Sequence, residues 1–229
     1  MRTVLISLAI LGAIIPGCDQ SLQLPQSAPS TPSSTQGSLN PSQDERVIVA
    51  FGDSLTAGLG VASHEAYPAQ LEARLRETGY PYRVVNAGVS GDTTAGGIRR
   101  LDWIIKTKPA IVILELGAND GLRGIPLNEV RANLNQMIQS LQNKGIQVVL
   151  VGMKLPPNYG PLYTRGFSNL YSELAREYDI PFIPFFLEGV AARPELNQED
   201  GLHPTVAGYS RVVDNVLPVL LPLLTPLLP

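Results

Sequence analysis

A chain of 229 residues, 44% hydrophobic and 16% charged, is long enough for one ordinary globular domain with extensions and too apolar to be disordered throughout. Its 17 Lys and Arg against 20 Asp and Glu leave a formal charge of −3, with no basic stripe to recommend nucleic acid as a partner. The single cysteine excludes an internal disulfide, and two histidines far apart, without a cysteine cluster, leave no convincing zinc site.

Residues 1–17 read as a processing segment rather than as fold. Arg2 supplies a positive start, residues 3–15 an apolar run too short to span a bilayer comfortably, and Pro16-Gly17 precede Cys18. A cysteine in that place resembles the lipobox of bacterial lipoproteins, in which the thiol is lipidated and becomes the new N-terminus. The resemblance implies a membrane partner through a lipid anchor on Cys18, and a home in the bacterial cell envelope, on a periplasmic or extracellular face. An ordinary secretory signal, or a cysteine of no special role, are the other readings. Residues 18–43 then form a linker: residues 19–43 hold seven Ser, five Gln and four Pro, which cannot bury enough apolar surface to order themselves. As a flexible coil they span roughly 25–30 Å. The globular domain is expected over residues 44–229.

The domain opens on Val47-Ile48-Val49-Ala50-Phe51, a buried strand ending in Gly52-Asp53-Ser54-Leu55. A helix with Tyr67, Leu71 and Leu75 on one face stops at Gly79, and a short strand covers residues 82–86. After a Gly- and Thr-rich loop come a helix carrying Ile98, Leu101 and Ile105 and a strand over 110–116. The next helix opens at Pro126, spaces Leu127, Val130, Leu134, Met137, Ile138 and Leu141 on one side, and ends at Gly145. A strand over 147–152, a Pro-rich loop, a helix with Phe167, Leu170, Leu174 and Tyr178, a strand over 181–185 and a last helix from about Thr205 complete the pattern. Strands alternating with helices predict an α/β fold with a mostly parallel, doubly covered sheet. In the apolar tail from Val216, prolines at 218, 222, 226 and 229 are expected to prevent a continuous helix, with the first half of the tail packed on the domain.

Each strand end carries something polar, and in a parallel sheet those ends converge on one edge. Ser54 is a candidate nucleophile, and it needs a base. His203 follows Asp200 by three residues, a spacing that lets the carboxylate orient the imidazole; His64 has no such partner and is expected on the surface. Donors for an oxyanion are the Ser54 N–H, a glycine N–H in the second loop and the Asn119 side chain. Gly91 is preferred over Gly88 because its tight turn would present the backbone without a Cβ. Asp53 and Asp120 are expected to stabilise turns. Leu122, Leu155 and Pro156 put apolar groups beside the site, which suits an acyl chain. Rival motifs are incomplete: Gly88-Val89-Ser90-Gly91-Asp92 lacks the last glycine of a nucleophile elbow, and Gly58-Leu59-Gly60 lacks the third glycine of a dinucleotide fingerprint.

Gly52-Asp53-Ser54-Leu55, the Gly91 turn, Gly117-Ala118-Asn119-Asp120 and Asp200-Gly201-Leu202-His203 resemble, in order, the four blocks of the SGNH (GDSL) hydrolase family. Asn119-Asp120-Gly121-Leu122-Arg123-Gly124 and Leu155-Pro156-Pro157-Asn158-Tyr159-Gly160 are similar to its thioesterase I, lysophospholipase and arylesterase branch. The resemblance spans about residues 46–209. It implies a flavodoxin-like three-layer α/β/α sandwich on a five-stranded sheet and a Ser54, His203, Asp200 triad. It further implies an oxyanion hole from Ser54, Gly91 and Asn119, and no cofactor or metal. The expected substrates are carboxylic esters, from aryl to short and medium acyl esters, with lysophospholipids or thioesters in reach, and the expected state is a monomer. A glycan or cell-wall O-acetyl esterase is an alternative, and a catalytically silent lipoprotein that binds acyl ligands is one of another class.

Overall fold

The computed structural model describes residues 46–225, so residues 1–45, on which the signal, Cys18 and linker readings fall, and the last four residues of the tail lie outside the described residues. Five strands, β1 (Arg46–Gly52), β2 (Tyr82–Gly88), β3 (Ile111–Glu115), β4 (Gln147–Val151) and β5 (Phe182–Ile183), form one sheet in the order β2-β1-β3-β4-β5, every neighbouring pair parallel. Between β1 and β3 the chain reverses its direction of travel across the sheet. That reversal opens a crevice beyond the strand ends, the usual place for a ligand in such folds.

The helices follow from the connections. They are α1 (Ser54–Ala57), α2 (Tyr67–Glu77), α3 (Thr94–Lys106), α4 (Ala118–Leu122), α5 (Leu127–Gln142), α6 (Pro161–Glu177) and α7 (Val206–Leu220). Right-handed crossovers send α2, which returns to β2, to one face of the sheet and α3, α5 and α6 to the other. Accordingly α7 packs on α2, and α5 packs between α3 and α6. The result is the expected three-layer sandwich. Central strands covered on both faces need continuous apolar runs, and Ile48 to Phe51 in β1 and Ile111 to Leu114 in β3 are fully or almost fully buried.

Two expectations need correction. The strand foreseen over 181–185 is two residues long, because Pro181 and Pro184 bracket it and neither has an N–H for the ladder. The proline at 218 does not stop the last helix, which runs through it to Leu220. Pro218 lies on the exposed side, while Val216 and Leu220 are buried on the opposite side. Burial of that stripe outweighs the local penalty. A smaller shift occurs in α3, whose buried side runs through Gly97, Leu101 and Ile104, with Ile98 and Ile105 at its margin.

Packing of the tail is expected to matter energetically at its buried positions, Val216, Leu220 and Leu224, and not at its exposed ones. Leu220→Ala should lower the unfolding free energy by about 2–5 kcal/mol in urea titration. Pro222→Ala, at an exposed position, should change it by less than about 0.5 kcal/mol.

Candidate active site

Ser54 is delivered by an abrupt change of structure. Strand β1 ends at Gly52, and Asp53 caps α1 by accepting the Leu55 N–H on its Oδ1 at 3.0 Å, so Ser54 is the first residue of a one-turn helix. The turn also needs Gly52 to be glycine: a Cβ there would stand 2.1 Å from Thr56 Oγ1 and 2.3 Å from Glu115 Oε2.

The opposite wall of the crevice is a loop pinned at its base. Asn197 and Pro204 bridge antiparallel, Gln198 N donates to the His203 carbonyl at 2.8 Å, and Thr205 N donates to Leu196 O at 2.9 Å. Inside that loop Gly201 takes a positive φ of 68°, which returns the chain so that Asp200 and His203 face each other. Asp200 Oδ1 accepts the backbone N–H groups of Leu202 and His203 at 2.9 and 3.0 Å, and its Oδ2 lies 2.5 Å from His203 Nδ1. His203 Nε2 in turn lies 2.8 Å from Ser54 Oγ.

The charge state of Asp200 follows from those contacts. The His203 and Leu202 N–H groups and the imidazole hold its carboxyl down to about 2, so it is an anion over the ordinary range and cannot donate. The proton between it and His203 therefore sits on Nδ1, which leaves Nε2 to accept from Ser54. His64 is exposed, as foreseen.

The expected oxyanion donors differ in readiness. The Ser54 and Gly91 backbone N–H groups make no hydrogen bond among the described residues. Gly91 takes a φ of 78° in a turn closed by Asp92 N donating to Val89 O at 3.0 Å, and Arg123 Nη2 steadies it by donating to its carbonyl at 3.0 Å. Gly88 has a different task, since a Cβ there would stand 2.1 Å from the Ala57 backbone nitrogen. The Asn119 side chain reaches the crevice with its amide already engaged, donating to Asp53 Oδ2 at 3.0 Å and to the Asp92 carbonyl at 2.9 Å. Asp120 faces away, with Thr94 donating to it from its hydroxyl at 2.6 Å and its N–H at 2.9 Å, which ties α4 to the start of α3.

Beside this polar line lies a cavity of about 480 Å³ that Leu122, after Asn119, and Leu155 and Pro156, after the fourth strand, all line. Met153, Phe185, Leu187, Ala191 and Ala192 also line it and were not foreseen. The signal was present: they follow the C-terminal ends of β4 and β5, where the other site loops also lie.

Residues 50–211 match the model of the GDSL-like lipase/acylhydrolase family. The chain belongs to that family. It is 45% identical over 180 residues to esterase TesA of Pseudomonas aeruginosa, covering 78% of this chain and 90% of that one. It is 37% identical over 177 residues to thioesterase 1/protease 1/lysophospholipase L1 of Escherichia coli strain K12, covering 77% of this chain and 84% of that one. A crystal structure of TesA superposes with a TM-score of 0.75 at 45% identity, over 78% of this chain and 99% of that one. The family's blocks supply the strand-end loops described above.

Asp53 makes a pH test available. Burial pushes its carboxyl up from 3.8 to about 6, against the opposing pull of the Leu55 N–H, His203 and Asn119. A raised acid contributes stability that is full below its unfolded pKa and is lost as pH rises through its folded one. The thermal midpoint of Asp53→Asn should therefore gain on that of the wild type between pH 3.8 and about 6 and hold steady above; a constant difference would refute the assignment.

Proposed function

We propose that this chain is a serine esterase that hydrolyses carboxylic esters by two-step acyl transfer, with Ser54 as nucleophile, His203 as base and Asp200 as its orienting anion. The observation that carries the reading is the unbroken line Asp200–His203–Ser54, at 2.5 and 2.8 Å, beside an apolar cavity. As the Ser54 oxygen attacks the ester carbonyl, its proton passes to His203 Nε2, and Asp200 stabilises the imidazolium that results. His203 then gives that proton to the departing alcohol, leaving the acyl group on Ser54. Water, activated by the same nitrogen, releases the acid.

The tetrahedral oxygen is met by the free Ser54 and Gly91 N–H groups. Asn119 serves as third donor by sharing or releasing one of its two present bonds. Every group comes from one chain, so a monomer suffices.

The cavity wall favours an acyl chain over an acetyl group, because each buried methylene contributes about 0.8 kcal/mol. Aryl and medium-chain acyl esters, lysophospholipids and thioesters are therefore the proposed substrates, ahead of O-acetylated glycans. The names of the relatives, an esterase and a thioesterase/lysophospholipase, support the same range. The reading extends to residues 1–43, proposed as a lipoprotein signal, a lipid-bearing Cys18 and a tether that hold the enzyme at a membrane outside the cytoplasm. Among the described residues no helix is long and apolar enough to cross a membrane.

Intact-mass analysis after fluorophosphonate treatment should give one adduct, absent from Ser54→Ala. In the same preparation octanoyl esters should exceed acetyl esters by about 10-fold or more in kcat/KM. Asn119→Ala should lose about 10²–10³-fold in kcat. A folded protein that takes no label would point instead to a silent acyl-binding lipoprotein.

A further inference from the structure

Glu115 has no part in the chemistry just described, yet its carboxyl lies wholly buried against the turn that carries Ser54. It ends β3, opposite Gly52 in register, with no exposed surface. Its Oε2 accepts the Thr56 hydroxyl at 2.8 Å and the Asp53 N–H at 3.3 Å, one contact on each side of Ser54. The absence of a side chain at Gly52 makes room for both contacts.

The other oxygen tells what form the group takes. Among the described residues Glu115 Oε1 is buried without a hydrogen-bond partner. The charged groups around the carboxyl are Asp53, which repels a second negative charge, and Arg100, which attracts one. Arg100 has its donors on Asp92, the Ala87 carbonyl and the Gly52 carbonyl. An anion with one bare oxygen in such a place is strongly disfavoured. The un-ionised acid is the less costly form, with Oε2 accepting twice and the proton on Oε1. Burial and the neighbouring Asp53 both push the carboxyl well above its usual range, in the same direction as the hydrogen-bond pattern.

We propose that Glu115 is a positioning residue for ester hydrolysis, an un-ionised carboxyl that grips Asp53 and Thr56 and so fixes the Ser54 hydroxyl and N–H between them. The inference rests on the esterase reading. It does not touch substrate, so its removal should disturb the transition state while leaving substrate affinity intact. The amide of glutamine reproduces an accepting oxygen beside a donating group, whereas alanine reproduces neither.

The test is steady-state kinetics on an aryl ester with wild type, Glu115→Ala, Glu115→Gln and Thr56→Val, each checked for native fold by near-UV circular dichroism. Glu115→Ala and Thr56→Val should lose about 10-fold or more in kcat with KM within about 2-fold, and Glu115→Gln should recover most of the loss. If Glu115→Ala does not fold, Thr56→Val, which removes one hydroxyl from a buried turn, carries the test. The proposal is overturned if folded Glu115→Ala or Thr56→Val keeps full kcat, or if Glu115→Gln is as slow as Glu115→Ala. An inactive wild type would instead remove the esterase reading, and the two failures are thus distinguishable.

Discussion

The bond from the Leu55 N–H to Asp53 Oδ1, 3.0 Å long and shielded from water, makes strand β1 become helix within one residue. A longer connection would let Ser54 wander; this one sets its hydroxyl within 2.8 Å of His203 Nε2. The backbone of that turn is crowded on every side. Gly52 has no room for a Cβ because of Thr56 and Glu115, and Gly88 has none because of Ala57. The glycines at the ends of β1 and β2 are thus a packing requirement of the turn, and the site inherits its position from the point where the sheet order reverses.

Three acidic side chains around this turn behave differently for reasons visible in their surroundings. Asp200 is partly open to solvent and accepts two backbone N–H groups and the imidazole, so it remains an anion. Asp53 is buried yet bonded at both oxygens, and lies between the extremes. Glu115 is buried with one oxygen bare, and is driven toward the neutral form. Environment rather than residue type sets their states: an anion bonded to His203, a buried helix cap, and a buried acid bonded to Asp53 and Thr56. Only the exposed member of the set is hydrogen-bonded to His203.

Much of this was legible in the sequence. The β-branched run before Gly52, the helical spacing of Val130 to Leu141 and the polar residue after each strand gave the layers, the sheet edge and the residues brought together there. Asp200 and His203 were legible because they stand three positions apart around a glycine. Glu115 was not, since in Ile-Val-Ile-Leu-Glu-Leu it reads as one polar residue at the end of a buried strand, and its partners lie 59 and 62 positions away. Phe185 and Ala191 escaped because the segment after β5 has no periodicity to place them. Pro218 misled because a local penalty was weighed without the buried stripe of Val216 and Leu220 that opposes it. Contacts distant in sequence and sums over a packed face are what a linear reading lacks.

The most direct measurement of the central claim is a crystal structure of the protein after reaction with an alkyl phosphonate. The account predicts phosphorus bonded to Ser54 Oγ, with one phosphonyl oxygen about 2.7–3.1 Å from both the Ser54 and Gly91 nitrogens. Phosphorus on any other residue, or that oxygen turned out to solvent with both N–H groups unused, would contradict it.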